Sequence, residues 1–554
     1  MTGETRARSR NAIALTVIAI AFLIPLRGLL RSQGPPMEEG FMLVFPERVL
    51  AGDFPNKDFL HLYGPGSLWV LAGVFKAFGT SLEAQRIVAL LQQAGVVLGV
   101  FGLARYWGRT VAVFGALIAL VIIVPPIGLT ALAWVGGVAL GMLGLVAGFA
   151  ARRATDERRA GRLAVVSGVL LAGALLYRLD LVLAVGLSLP VLLRGMDTAR
   201  ARRVVIGLGA GSALYLVHAA IAGPGNVIRG MVLDPVFFLR GGRRLPIPPP
   251  PDHLDGFLQR AGAIDQLSWR QPALSTAAQL TVWFFLMLAA VAFLVVVAVR
   301  RFRRDPQSVQ SRVLLAAALF SVGLLPQGIQ RVDSAHFAWV TCVPLGLLPV
   351  GVLEVMRGRA RRLRTARARE VAAGGGVLLA LFLLIPHFTA RTYTDYALQS
   401  IGVHRIAFEI EHEGRRFYYG RPDVARAAEP LLAEADRITE PGDRLFVGTT
   451  DLRKTPYSDA YLYYMLHELT PATYYIEMDP GVANRDDSGL DDDLASADIA
   501  ILSSVWNDWE EPNDSRDFGS DEPNKVLKEK FCLVDTYGDG LYELYERCDR
   551  RSNR

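Results

Sequence analysis

Carboxylates and guanidinium groups set inside apolar sequence are the residues of this chain that could do chemistry. The stretch 37–69 holds Glu38, Glu39, Asp53, Asp58 and His61, then Tyr63 and Gly64-Pro65-Gly66, interleaved with apolar and aromatic residues. Arg178 and Asp180 stand two apart between two apolar stretches. Arg331, Asp333 and His336 open another apolar segment, and the spacing of Asp333 and His336 puts them on one helix face. Arg229, Asp234, Arg240, Arg243 and Arg244 precede a proline-rich run at 245–251. A carboxylate can take the proton of an attacking hydroxyl. A guanidinium offers a planar fork to a phosphate and stabilises charge growing on it. Plainer roles compete at each place. They are an interfacial helix whose acids face water, an Arg178–Asp180 ion pair, a helix cap at Asp333 or Ser334, and attraction of the basic loop to bulk anionic lipid.

The elements that must position these groups are membrane helices. Of the 554 residues, 52% are hydrophobic and 20% charged, with mean hydropathy +0.30. This excludes a disordered chain and argues against an ordinary cytosolic enzyme. The net charge of +6 conceals a division: residues 1–390 carry 40 Lys and Arg against 19 Asp and Glu, and residues 391–554 carry 19 against 34. A membrane helix needs about 20 apolar residues. Eleven spans are expected, near 11–30, 82–104, 111–127, 129–150, 163–177, 179–194, 203–222, 275–299, 312–329, 336–356 and 371–388. The pair 163–177 and 179–194 is short and could form a hairpin that does not fully cross. The apolar stretch 66–79 is too short to span and is placed at the interface.

Arginine-rich segments recur at 5–10, 105–109, 152–162, 194–203, 300–304 and 357–369. The positive-inside rule puts them, with the N-terminus, in the cytoplasm. Their role is topology, so no nucleic-acid partner is expected. The first apolar segment has the n- and h-regions of a signal peptide but no small-residue cleavage site, and is read as an uncleaved helix. An odd number of spans then sets 391–554 outside the plasma membrane. All four chemical groups fall at outer ends of spans, where ionisable residues imply function. A short amphipathic helix over 39–51 on the membrane surface would hold its acids at the mouth of the bundle. The Arg cluster beside stiff proline sequence suggests a loop covering an anionic lipid headgroup. The fitting reaction is sugar transfer from a lipid-linked phosphate, by direct displacement with inversion. One carboxylate suffices, because a leaving phosphate needs little protonation, unlike the two-carboxyl arrangement of glycoside hydrolysis. No glycine-rich phosphate loop is found, in keeping with a donor that has no nucleotide.

The 391–554 part reads as a compact α/β domain. Strands are expected at 444–448, 473–478, 498–503, 531–537 and 541–547, with helices over 459–469 and in the connecting stretch 391–440. Cys532 and Cys548 lie in successive strands and could pair outside the membrane; Cys342 lies in a span. The acidic runs 483–493 and 508–524 could hold a divalent cation through oxygen ligands. They lack the spacing of a calcium loop, and solvated loops are the simpler reading.

The membrane part, about 11–390, resembles the GT-C superfamily of integral-membrane glycosyltransferases, which use polyprenyl-phosphate sugars and include the protein O-mannosyltransferases and bacterial relatives. The resemblance lies in Glu38-Glu39-Gly40 after the first span, Ala51-Gly52-Asp53-Phe54-Pro55, Lys57-Asp58-Phe59, Tyr63-Gly64-Pro65-Gly66, and Arg331-x-Asp333-x-x-His336. It implies a polytopic α-helical protein with an extracytoplasmic C-terminal α/β domain, divided near 390. It implies a catalytic acid at Glu38 or Glu39, where Asp is more usual. Asp58 would bind donor or acceptor, and His61, Tyr63, Arg178, Asp180, Arg240, Arg243, Arg244, Arg331, Asp333 and His336 are the further candidates. Donor, bilayer and an acceptor glycan, lipid or exported protein are the expected partners. The abundance of Ala, Arg, Val and Gly suits a bacterial cell envelope. Two other classes stand beside this reading: a transporter or lipid flippase, which would show repeated halves and mid-membrane charges, and a non-catalytic envelope assembly protein.

Overall fold

The computed structural model describes residues 3–34, 36–255, 274–357, 365–507 and 510–551. The end of the basic loop (256–273), the middle of the last arginine-rich turn (358–364) and residues 508–509 of the second acidic run lie outside the described residues.

Among the described residues, nine helices are long and apolar enough to cross a membrane, or ten if the bent pair Ala366–Leu384 and His387–Ser400 is one span. The eleventh expected span, Leu179–Leu193, is a shorter apolar helix than these. It nevertheless links the two ends of the bundle. Its start, Asp180, pairs with Arg178, whose guanidinium reaches Gln327 Oε1 (3.5 Å). Beyond its end, the carbonyls of Arg194 and Gly195 accept from Arg152 at 2.9 and 3.1 Å. Several helices begin on a side-chain cap, as Ser81, Ser275 and Thr365 each accept from the backbone N–H three residues on. The arginine-rich turns gather at one end. Gln310 donates to the Tyr106 carbonyl (2.7 Å), Trp107 Nε1 to Glu354 (2.5 Å), and Arg301 pairs with Glu354.

The expected surface helix over 39–51 is instead a buried one, Pro36–Ala51. Phe41, Met42, Leu43, Val44 and Phe45 are all at most 3% exposed. The reason is a second partner: Tyr461 and Ala460 of the C-terminal region press on it so closely that a Cβ at Gly40 would sit 2.6 Å from the Tyr461 nitrogen.

The C-terminal α/β region begins with a hairpin, β1 (Phe408–His412) and β2 (Arg415–Tyr419), where a helix was expected. Its turn residues Glu413 and Gly414 both have positive φ, +48° and +76°, the backbone of a tight two-residue hairpin. Helix Pro422–Ile438 follows. A five-stranded sheet comprises β3 (Arg444–Thr449), β4 (Thr470–Pro471), β5 (Ile499–Ser503), β6 (Phe531–Tyr537) and β7 (Tyr542–Arg547). The order is β4-β3-β5-β7-β6, parallel across β4-β3-β5 and antiparallel from β5 to β6. Cys532 and Cys548 are disulfide-bonded beside this antiparallel edge. The strand expected at 473–478 does not form. Past the two-residue β4 the chain leaves the sheet, and the Tyr474 carbonyl accepts from Leu60 N (2.8 Å) while the Thr473 carbonyl accepts from Arg48 (3.0 Å). The expected helix over 459–469 shrinks to Tyr461–Met465, every residue of it buried.

Candidate functional site

The Arg178–Arg331 end of the bundle, the 37–65 segment, the short helix Leu239–Arg243 and residues 457–479 of the C-terminal region enclose a cavity of about 210 Å³. Glycine makes one of these approaches possible. A Cβ on Gly64 would stand 2.0 Å from the Leu176 carbonyl oxygen, and Gly64 N donates to Tyr177 O (3.1 Å). The loop is thereby pinned to the end of the Glu157–Tyr177 helix, beside Arg178.

Of the residues singled out from sequence, Glu38, Tyr63, Arg178, Asp180, Arg243, Arg331 and His336 line this cavity. Glu38 Oε2 is buried and accepts no hydrogen bond among the described residues. Burial raises its pKa, against the pull of the Arg243 and Arg331 charges. Arg178 holds Asp180 with Nε (3.0 Å) and Nη2 (2.8 Å), and its guanidinium lies 4.4 Å from the Tyr63 ring centre and 5.1 Å from that of Trp134. Arg243 grips Asp479 with Nε (3.0 Å) and Nη2 over the ring of Tyr457. Arg331 is the most heavily engaged. It donates from Nε to Asp333 (2.9 Å), from Nη1 to the Arg243 carbonyl (2.7 Å), and in bidentate fashion to Glu511 (2.9 and 2.6 Å).

The other candidates stand apart from the cavity lining. Glu39, one residue from Glu38, points the opposite way into a buried bidentate pair with Arg86 (2.9 and 2.8 Å) and also accepts from Gly34 N. Asp58 accepts from Phe54 N (2.7 Å) and shapes its own turn. His61 lies beneath Tyr63, ring centres 5.5 Å apart, and burial drops its pKa to about 3, so the ring is neutral. Asp333 is the cap that plainer reasoning expected: its Oδ1 accepts from His336 N (2.9 Å) and meets His336 Nδ1 (2.8 Å). Burial would raise its pKa, but His336 and Arg331 hold it at about 2. Arg240 and Arg244 are exposed. The proline run lies along the Thr276–Arg304 helix, with the Pro249 carbonyl accepting from Thr281 (2.9 Å).

Sequence reasoning missed Arg86, Tyr457, Glu477, Asp479 and Glu511. Glu477 and Asp479 alternate within an aromatic run ending at Pro480, and two acids at period two in such a stretch are the signal that could have found them. Glu477 Oε2 and Asp479 Oδ2 are buried and, like Glu38 Oε2, accept no hydrogen bond among the described residues. Burial and the neighbouring Asp479 push the Glu477 carboxyl well above its ordinary range. Glu511 is held low by Arg331 and Arg243 in spite of its burial.

Among the described residues, the His, Cys, Asp and Glu groups whose ligand atoms lie within 4.8 Å of one another are His412–Glu413–Asp436 and Glu413–His467–Glu468, both on the C-terminal region and away from the cavity. The two acidic runs contribute to neither group. Asp493 of the first run instead accepts from Tyr474 N (2.8 Å) and the Thr473 hydroxyl (2.9 Å).

No family model matches the chain, and no curated protein sequence does. Solved structures do. ArnT from Cupriavidus metallidurans bound to undecaprenyl phosphate is similar at 13% identity and TM-score 0.50, over 98% of this chain and 98% of that one. Its apo state gives 15% identity and TM-score 0.49, over 97% and 98%. The archaeal oligosaccharyltransferase AglB from Archaeoglobus fulgidus, in complex with an inhibitory peptide and a dolichol-phosphate, gives 12% and 0.45, over 97% of this chain and 74% of that one. At 13% identity the ArnT likeness is one of fold: over nearly its whole length this chain shares the architecture of that structure, here a polytopic helical bundle with a C-terminal α/β region.

Proposed function

We propose that the protein transfers a sugar from a polyprenyl-phosphate donor to a hydroxyl of an envelope glycan, lipid or exported protein on the outer face of the plasma membrane, with the N-terminus cytoplasmic. The observation that carries this reading is a single one. Glu38 presents a buried, unpartnered carboxylate oxygen to a cavity walled by three guanidinium groups at the end of a membrane bundle opposite the arginine-rich turns. The fold shared with ArnT, a protein whose structure holds undecaprenyl phosphate, supports a donor of that class.

The acceptor oxygen attacks the anomeric carbon as its proton passes to the Glu38 carboxylate. The bond from the anomeric carbon to the phosphate oxygen breaks on the opposite side, and polyprenyl phosphate departs with the bonding pair, so the configuration inverts. Arg178 and Arg243 each spend Nε and Nη2 on an acid, and the Nη1 of each, with no hydrogen-bond partner among the described residues, serves the leaving phosphate. Arg331 commits all three of its nitrogens and acts as a positioning residue, tying the Arg243 backbone and Glu511 to the bundle.

The test is transfer from a radiolabelled polyprenyl-phosphate sugar by the purified full chain. Glu38→Gln is expected to lower kcat by about 10²–10⁴-fold, the usual contribution of a positioned base, while the variant still binds undecaprenyl phosphate. Transfer within about threefold of wild type would remove Glu38 from the reaction. Proteoliposomes should show no lipid flipping or solute uptake; either activity would favour the transporter reading.

A further inference from the structure

We infer that the C-terminal α/β region holds the sugar of the donor, through Glu477 and Asp479, in a subsite shared with the membrane part. This rests on the glycosyl-transfer reading and deepens it. Both carboxyls line the cavity, and each keeps one buried oxygen with no hydrogen-bond partner among the described residues. The Asp479 carboxylate, held by Arg243, accepts from hydroxyl donors, and the Glu477 carboxyl, pushed toward its protonated form, can both accept from and donate to a hydroxyl. The same walls carry the rings of Tyr63, Trp134, Trp339 and Tyr457. Acid acceptors beside aromatic faces suit a polyhydroxylated ring, whose hydroxyls need partners and whose C–H faces pack on apolar surface.

The donor's ring is favoured over an acceptor's by one contact. Asp479 is bonded to Arg243, and a phosphate on the free Nη1 of Arg243 brings the sugar joined to that phosphate alongside Asp479. The segment 473–479 is held in place by Leu60 and Arg48, both within the segment that also bears Glu38. Base and sugar subsite therefore share one support.

The experiment compares binding of undecaprenyl phosphate with binding of undecaprenyl-phosphate glucose, galactose, mannose and arabinose by the full chain in detergent. Wild type should bind at least one sugar-bearing lipid about tenfold or more tightly than the bare lipid phosphate. Glu477→Leu should erase that preference and Glu477→Gln, which keeps one acceptor, should reduce it, both leaving bare lipid phosphate within about twofold of wild type. Neither variant should unfold the protein, since each removes a buried carboxyl that has no hydrogen-bond partner on Oε2 among the described residues; thermal midpoints check this. Equal weakening of both ligand classes, an unchanged preference, or a wild type that binds every sugar-bearing lipid no better than the bare phosphate overturns the inference. A wild type that binds no polyprenyl phosphate at all sinks the glycosyl-transfer reading beneath it.

Discussion

Glu38, half-buried at the cavity, and its fully buried neighbour Glu39 are predicted to fail in opposite ways. Glu39 and Arg86 are 0% and 1% exposed at the side chain and form a bidentate pair. Removing one member of such a pair strands the other charge, at a cost of about 3–5 kcal/mol. Arg86 keeps its bonds to the Leu30 and Ser32 carbonyls (2.9 and 2.7 Å), which hold it in place and prevent its escape to water. Glu39→Gln is therefore expected at the upper part of that range. Glu38→Gln removes a buried carboxyl that has no hydrogen-bond partner on one oxygen, so its stability should equal or exceed wild type. The assay is thermal unfolding of the detergent-solubilised chain, followed beside the transfer reaction. Glu39→Gln should melt well below wild type, while at low temperature its surviving folded fraction still transfers. Glu38→Gln should melt normally and transfer about 10²–10⁴-fold more slowly. The double variant Glu39→Leu/Arg86→Met should be less destabilised than the sum of its parts, by about 0.5–3 kcal/mol of coupling. A Glu39→Gln protein as stable as wild type, or a Glu38→Gln protein that falls apart, would refute the division of labour.

Transfer should decline as pH falls through the Glu38 pKa, because the base acts only when ionised; burial places that limb above the ordinary glutamate value of about 4.3, and a rate flat down to pH 4 would contradict it. Asp333 behaves inversely. Its depressed pKa makes a stabilising contribution that is complete above pH about 4 and lost as pH falls through about 2, so Asp333→Asn should flatten the acid limb of the unfolding profile. Arg331→Lys should not rescue Arg331→Met, since one ammonium cannot serve Glu511 in bidentate fashion while reaching Asp333 and the Arg243 carbonyl; equal recovery by lysine would show that charge alone matters. Cys532→Ser/Cys548→Ser, opening a loop of sequence separation 16, should cost the C-terminal region about 3 kcal/mol in unfolding and leave lipid binding intact.

The bundle was legible because apolar length and arginine spacing are local signals. The Leu179–Leu193 helix escaped the length rule, yet its Arg178–Asp180 start already marked an end of the bundle. The hairpin over 408–419 was legible in principle, since Glu413-Gly414 sits between alternating segments, but charged residues on its exposed face masked the pattern. The buried state of Pro36–Ala51 was not legible. Its acids read as amphipathic, and only Arg86, some 47 positions away, explains why Glu39 can be buried. Glu511 was out of reach for the same reason, and the period-two spacing of Glu477 and Asp479 marked the two acids without marking the Arg243 that Asp479 meets. Which acid meets which guanidinium across more than 150 residues is decided by packing, and no short-range periodicity records it.

The pairing of the cavity arginines bears on what the site can accept. Three unpaired guanidinium groups at a membrane face would draw any anionic headgroup, since charge attraction alone is indifferent to shape. Here Arg178 faces Asp180, Arg243 faces Asp479, and Arg331 faces Asp333 and Glu511, so the positive potential is cancelled locally while direction survives. Among the described residues, what remains available is one Nη1 each on Arg178 and Arg243, set among acids that repel a misplaced anion. A phosphate gains only where its oxygens meet those two nitrogens and the group it carries meets the carboxylates as a hydrogen-bond donor. Bulk phospholipid lacks a sugar in that place. Two of the acids, Asp479 and Glu511, come from the C-terminal region, so selectivity against ordinary lipid requires the α/β region to be seated on the bundle.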